Sequence, residues 1–450
     1  MSRHIVLFLF LGCTFLWHQL VPRKWRDFVM PWAFAGIIGN ICCSTFYGGG
    51  MHAMLGLLNY AFYIICVDGF AFSQRNQNPC WKLFVTLWCY MIFSTIYGKY
   101  TIDGIFYWVN TFLTSFCCGY FVALWVLRTE DGLKKLLFPL VVVSCITVFL
   151  YYRHGGITQL EVGANRGVFN EDTMEEDITF NQNAAAIYMM ILLSFLTVAI
   201  VKVVRSRSER IVKLVAMGAA VMTFLIMVRQ GSRGGAICLL PIMLYFMFPS
   251  TFKRNAMKRN AIIALLAVAS LFGVKYVMKG ADVVRAFAIK GDTTGTYSYD
   301  TAFDQITTGR YSMWKVNLKS MTDAQIFFGG GLKSKSTLDQ RVSAGNAHCM
   351  YMTVLYNSGI IGVFLLLCCL WKFFIEARKM GDRGRLALLF IGMWALHGVG
   401  ESWGMTGGGT AILAGLGIGL LSRCEIWNSE LEIAGPNPFA MSGYWRDVDA

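Results

Sequence analysis

Charge is scarce in this sequence: Asp, Glu, Lys and Arg together make up 15% of 450 residues, against 56% hydrophobic and 15% aromatic. A soluble domain of this length has too little polar surface to hide so much apolar side chain. A bilayer accepts it, because helices that satisfy their own backbone hydrogen bonds can turn apolar side chains toward lipid. Signatures of metal and redox chemistry are missing too. Fourteen cysteines occur with no CxxC pair and no zinc-like spacing, and Cys42, Cys43, Cys117, Cys118, Cys368 and Cys369 lie inside apolar runs as small hydrophobes. No EF-hand spacing is present, and Gly329–Gly331 is not followed by the GK[ST] of a Walker loop, which counts against direct nucleotide use. No internal repeat or heptad run stands out. The stretch Ile5–Leu20 has no small-residue cleavage site, so it is expected to be a membrane segment and not a removable signal peptide.

What is present is a succession of apolar runs of roughly 17–25 residues, the length a helix needs to cross about 30 Å of hydrocarbon. The expected spans are 4–20, 28–46, 52–72, 83–99, 104–127, 136–152, 184–204, 211–228, 235–251, 261–278, 350–374, 386–403 and 408–421. The predicted fold is therefore an all-α integral membrane protein of about 12–13 transmembrane helices, with a large external loop carrying short helices. A net charge of +14 would suit nucleic acid, but the basic residues are spread over short loops between apolar runs, so membrane orientation is the better explanation and no nucleic-acid partner is expected. Arg23, Lys24 and Arg26; Arg128, Lys134 and Lys135; Arg205, Arg207 and Arg210; Lys253, Arg254, Lys258 and Arg259; and Arg378, Lys379, Arg383 and Arg385 all fall on one side, taken as cytoplasmic. Thirteen spans put the N-terminus outside and the C-terminus inside; twelve put both inside. Loops 153–183 and 279–349 and the turn 229–235 then lie outside. This divides the chain into N-terminal membrane helices (1–152), a core (153–375), C-terminal membrane helices (376–421) and a cytoplasmic tail (422–450).

The external segments hold the unusual chemistry. The loop 153–183 carries Arg166 and an acidic run, Glu171, Asp172, Glu175, Glu176 and Asp177, suited to a divalent cation, to an amine-bearing sugar or simply to solvent. Asn183 stands where it would cap the following helix. In the turn Arg229-Gln230-Gly231-Ser232-Arg233-Gly234-Gly235, small neighbours leave the Arg233 guanidinium and backbone open to a ligand. A planar guanidinium suits bidentate phosphate binding, although surface arginines also anchor helix ends by snorkelling. Gly309-Arg310-Tyr311-Ser312-Met313-Trp314 begins an amphipathic stretch to Met321, broken by Phe327-Phe328-Gly329-Gly330-Gly331; Arg310 either faces a site or is solvated. His348 precedes a span at its outer mouth, where a neutral imidazole can act as general base or be an incidental helix-end residue. Glu401, near Gly404–Gly409, is placed to line an acceptor side or to serve a helix end.

Four segments together resemble the O-antigen ligase and O-antigen polymerase superfamily. They are R-G-x-F…N-x-N-A-x-A from Arg166 to Ala186, S-R-G-G from Ser232 to Gly235, G-R-x-x-x-W from Gly309 to Trp314, and A-H-x-x-Y-x-x-x-L…G-x-x-G from Ala347 to Gly362. Their order, spacing and common side fit over roughly residues 150–375. Cys349 departs from relatives that carry a small polar residue after the histidine.

The resemblance implies glycosyl transfer without a metal or other cofactor, from an undecaprenyl diphosphate-linked glycan to an acceptor hydroxyl. The acceptor would be lipid A–core oligosaccharide, a glycan repeat or a protein hydroxyl. It further implies a bacterial inner-membrane location with the active site facing the periplasm or cell exterior. Arg233 and Arg310 would bind the donor diphosphate and His348 would activate or orient the acceptor, with Arg166, Asn183, Arg229 and Glu401 as additional candidates. A polar-lipid or polysaccharide transporter is the alternative. It would place charges and broken helices near the bilayer midplane, where Asp68 and Glu401 are the clearest exceptions to a charge-poor interior.

Overall fold

Apolar helices dominate the computed structural model, which describes residues 3–43, 49–67, 78–96, 101–153, 182–202, 207–229, 239–247, 314–315, 318–319, 321–331, 349–400 and 409–423. The first half contains α1 (Arg3–Leu20), α2 (Arg23–Cys43), α3 (Gly49–Cys66), α4 (Trp81–Ile96), α5 (Thr101–Thr111), α6 (Cys118–Arg128) and α7 (Gly132–Arg153). A π-helical turn, Phe112–Cys117, joins α5 to α6 as one continuous rod. The second half contains α8 (Gln182–Lys202), α9 (Arg207–Arg229), α10 (Leu239–Met247), α11 (Asp323–Phe328), α12 (Met350–Lys379), α13 (Gly381–Gly400) and α14 (Gly409–Leu420). Helices fall at twelve of the thirteen expected spans; the other, 261–278, lies outside the described residues.

By length and composition, Gly104–Arg128, Gly132–Arg153, Glu209–Met227 and Met350–Lys379 can each cross a membrane, and five shorter apolar helices accompany them. Among the described residues there is no strand. The protein is an all-α membrane protein. Its outward surface is apolar in keeping with that class: Phe8, Leu20, Phe149, Leu214, Phe364 and Trp371 are all exposed. Several interior hydroxyls are satisfied within their own helices, as Thr14 to Phe10 O (2.7 Å), Ser144 to Leu140 O (2.7 Å) and Thr223 to Ala219 O (2.7 Å) illustrate. Such back-bonding lets a polar residue sit in a span without an orphaned donor.

Two packing devices hold the centre. One is aromatic: Trp88 lies 4.9 Å from Phe116 and 5.3 Å from Trp108, ring centre to ring centre, and Phe116 reaches Trp394 of α13 at 6.0 Å. The other is a glycine seam between α6 and α14. A β-carbon on Gly119 would stand 2.0 Å from Ile412 O, and one on Gly415 would stand 2.1 Å from Phe116 O, so the two backbones touch where only glycine fits.

Candidate functional site

The two ends of the helix bundle differ chemically. At one end, Lys134 Nζ meets Glu209 Oε1 (3.5 Å), Lys202 Nζ meets Asp382 Oδ2 (3.0 Å), Asp382 also pairs with Arg385, and Trp125 Nε1 donates to Asp27 Oδ1 (3.0 Å). These contacts tie the start of α2, the α6–α7 turn, the facing ends of α8 and α9, and the α12–α13 turn together. Four of the five basic segments singled out in the sequence therefore share one end; the segment at 253–259 lies outside the described residues.

The opposite end gathers the helix termini that carry the candidate loops. Cys42 Sγ donates to Tyr188 O (3.7 Å) and Tyr151 Oη to Cys42 O (3.2 Å), joining the end of α2, the end of α7 and the start of α8. Tyr351 Oη donates to Ala395 O (3.0 Å), and Gly398 packs on Met350 so closely that a β-carbon would lie 2.7 Å from its Cε. The start of α12 and the end of α13 are thus neighbours.

Arg166, Arg233, Arg310, His348 and Glu401 lie outside the described residues, as do Asp68 and the acidic run 171–177. Asn183 falls within the first turn of α8, one residue inside its start, and Arg229 is the last residue of α9. Cys349, next in sequence after His348, is the N-cap of α12 with extended backbone (φ −160°, ψ 123°) and makes no side-chain cap bond. Its carbonyl accepts from both the backbone N–H and the hydroxyl of Thr353, each at 2.9 Å. The departure seen in the sequence thus has a local consequence: a buried thiol holds a position that Ser, Thr, Asn or Asp would normally cap.

The sequence reading missed a break inside α12. Gly359 adopts φ 64°, ψ −169°, a region open essentially to glycine alone, about 14 Å along the helix from Met350 at 1.5 Å per residue. A break of this kind deprives the preceding carbonyls of their helical donors. The Gly329–Gly331 strap supplies new ones: Gly330 N–H donates to Tyr356 O (2.8 Å) and Gly331 N–H to Asn357 O (3.1 Å). Ser94 of α4 is the third party. Its Oγ lies 2.9 Å from Asn357 O, 2.9 Å from Met91 O and 3.2 Å from Ser358 Oγ, so its single proton is shared among them. The contact is backbone to backbone, since a β-carbon on Gly329 would lie 2.2 Å from Asn357 O and one on Gly359 2.2 Å from Phe327 O. Tyr356 Oη also donates to Trp314 O (3.3 Å), four residues after Arg310.

The helices and their two unlike ends define a polytopic membrane protein whose candidate loops leave one end of the bundle. Residues 218–367, one third of the chain, match the family described as O-antigen ligase. No curated protein matches the sequence. The matched segment includes Arg229, Arg233, Arg310, His348 and the break at Gly359; Arg166, Asn183 and Glu401 fall outside it.

Proposed function

We propose that this protein transfers an undecaprenyl diphosphate-linked glycan to an acceptor hydroxyl at the outer face of a bacterial cytoplasmic membrane. The observation that carries the reading is the family match over 218–367, which contains all three residues assigned to the chemistry. Arg233 and Arg310 hold the donor diphosphate. Their fixed guanidinium groups stabilise the negative charge that develops as the glycosyl–oxygen bond breaks, and no metal is needed for this. His348 accepts the acceptor hydroxyl's proton as that oxygen attacks the anomeric carbon with inversion. The lipid diphosphate leaves as the counterpart product. Arg166, Asn183, Arg229 and Glu401 are assigned supporting contacts to glycan or acceptor.

Sidedness is part of the proposal. The end where basic segments 23–26, 128–135, 205–210 and 378–385 converge faces the cytoplasm by the positive-inside rule, and the loop-bearing end faces out. Among the described residues the buried ionic side chains Glu376 and Arg383 flank the α12–α13 turn and do not sit at mid-span, which favours the transferase, whereas the break in α12 is compatible with either reading.

Complementation tests this reading. The protein is expressed in a host lacking its own O-antigen ligase, and lipopolysaccharide ladders are read on a gel beside His348→Ala and Arg233→Ala. Long-chain lipopolysaccharide that disappears in both variants supports ligase activity with these residues in the site. No ladder from a protein verified in the membrane moves the acceptor to a growing glycan or a protein hydroxyl. Ladders from both variants sink the assignment.

A further inference from the structure

The interlock at the break in α12 joins three parts of the chain that are far apart in sequence: α4 through Ser94, the strap Gly329–Gly331 that follows α11, and α12 itself through Tyr356–Gly359. Tyr356 extends it to a fourth, the Trp314 segment. On the assignment above, one of the two arginines of the site, Arg310, and the histidine each lie just upstream of one of these anchors. Arg310 precedes Trp314 by four residues, a reach of at most about 14 Å of extended chain, and His348 precedes the Cys349 N-cap by one, about 3.8 Å between α-carbons. An unbroken helix would carry the Cys349 end on the axis set by the lower half of α12. The break at Gly359 separates the two halves and lets the outer one be aimed independently.

We propose that this interlock is a positioning device: Gly329, Gly359, Ser94 and Tyr356 fix the outer part of α12 and the Trp314 segment in one mutual arrangement, so that the residues they carry meet the same substrate. The proposal rests on the transferase reading above. The strap is built to be stiff. α11 begins with a reciprocal cap, in which Gln325 N–H donates to Thr322 Oγ1 (3.3 Å) and Thr322 N–H to Gln325 Oε1 (3.0 Å), and it ends at Gly329, whose N–H returns to Gln325 O (2.8 Å). Tyr90 of α4 adds a long contact from its hydroxyl to Phe328 O (3.5 Å). Neither half of the interlock can shift alone without leaving buried backbone groups of Asn357, Gly330 and Gly331 unpaired. None of these residues is assigned a contact with substrate, so their effect is on geometry.

The test uses the full-length protein in lipid nanodiscs, with kcat and donor KM measured per folded molecule. The variants are Gly359→Ala, Gly329→Ala, Ser94→Ala, Ser94→Thr and Tyr356→Phe, with Gly56→Ala as control because nothing lies within 4 Å of a β-carbon there. The glycine variants risk failing to fold, so the hydroxyl deletions carry the decision. We expect Tyr356→Phe and Ser94→Ala to lower kcat at least fivefold while donor KM stays within twofold. Ser94→Thr, which keeps the hydroxyl, should recover most of the loss, and Gly56→Ala should match wild type. Hydrogen exchange of the 314–331 peptide should rise in Tyr356→Phe. Unchanged kcat in the interlock variants beside an inactive His348→Ala overturns the positioning role and leaves the transferase reading standing. Activity that falls only in proportion to folded yield makes the interlock purely structural and also overturns it. If wild type and His348→Ala transfer alike, the reading above falls and the positioning role falls with it.

Discussion

Alanine at Gly119 probes the seam that holds α14 in the bundle. The new β-carbon would lie 2.0 Å from Ile412 O, whereas a comfortable contact is about 3.5 Å, so α6 and α14 must part by roughly 1.5 Å. A gap of that size forfeits well over half of each dispersion contact across the crossing. Overpacking typically costs about 1–3 kcal/mol, and an approach to a backbone oxygen this close belongs at the upper end, about 2–3 kcal/mol. Gly415→Ala strikes the same crossing from the other helix, against Phe116 O at 2.1 Å, and should cost a similar amount. Once one substitution has parted the helices, the second meets less resistance, so the double variant should cost about 1 kcal/mol more than either single and fall short of the sum. The assay is the temperature at which half of the purified, detergent-solubilised protein loses its monodisperse elution peak, a kinetic ranking that needs no reversibility. A drop of about 5 °C is expected for each single variant. Gly56→Ala should be unchanged or slightly more heat-tolerant, since a β-carbon there meets nothing within 4 Å and alanine is the better helix former. Equal heat tolerance of Gly119→Ala and Gly56→Ala would show that the backbones do not touch, and strict additivity of the double would show that the two glycines do not share a crossing.

Three further outcomes can be checked. Green fluorescent protein inserted at Glu130 should fluoresce and alkaline phosphatase inserted at Thr158 should be active; the reverse pattern would invert the membrane orientation inferred from the clustered basic loops. Arg233→Lys and Arg310→Lys should each lower transfer about tenfold or more despite keeping the charge, because an ammonium cannot reproduce a bidentate phosphate contact; wild-type rates in both would remove the diphosphate role. Asp382→Asn should reduce heat tolerance by an amount equivalent to about 1–2 kcal/mol, because Lys202 and Arg385, both partly buried, lose the carboxylate they share; no change in the melting profile would mean that water replaces it fully.

Most of the fold was legible because membrane helices announce themselves by composition. The run expected at 184–204 forms α8 at Gln182–Lys202, that at 211–228 forms α9 at Arg207–Arg229, and that at 408–421 forms α14 at Gly409–Leu420. Charged or polar residues flanking an apolar run set its limits, whatever the neighbours do. The shared end of the basic loops was legible for the same reason, and the contacts Lys134–Glu209 and Lys202–Asp382 join loops that the charge pattern alone had grouped. The short helix α11 was harder, since six residues carry no hydropathy signal. Its one advance sign was Thr322-Asp323-Ala324-Gln325, a Thr-x-x-Gln capping box that the structure forms in full. As for the site, composition and motif order could nominate Arg233, Arg310 and His348, but they carry no information on how separate loops are held relative to each other.

The break in α12 shows why that information was hidden. Within the apolar run from Met350 to Leu370, a glycine followed three residues later by another is compatible with an unbroken, tightly packed helix, and nothing in Asn357-Ser358-Gly359 demands otherwise. What decides the matter is a second glycine segment almost thirty residues upstream, which supplies the two N–H groups that a broken helix needs. Neither segment is interpretable alone: without the strap the break would strand carbonyls in an apolar medium, and without the break the strap would have no acceptors. The positive φ at both Gly329 and Gly359 restricts these positions to glycine on conformational grounds, and the 2.2 Å approaches restrict them again on steric ones. Two mutually dependent strains, retained where an ordinary helix was available at lower cost, are expected at places where geometry serves a task. Here the geometry that is fixed is the relation between the start of α12 and the Trp314 segment, and these are the two points of the described structure from which the proposed base and one of the proposed diphosphate ligands are reached along the chain.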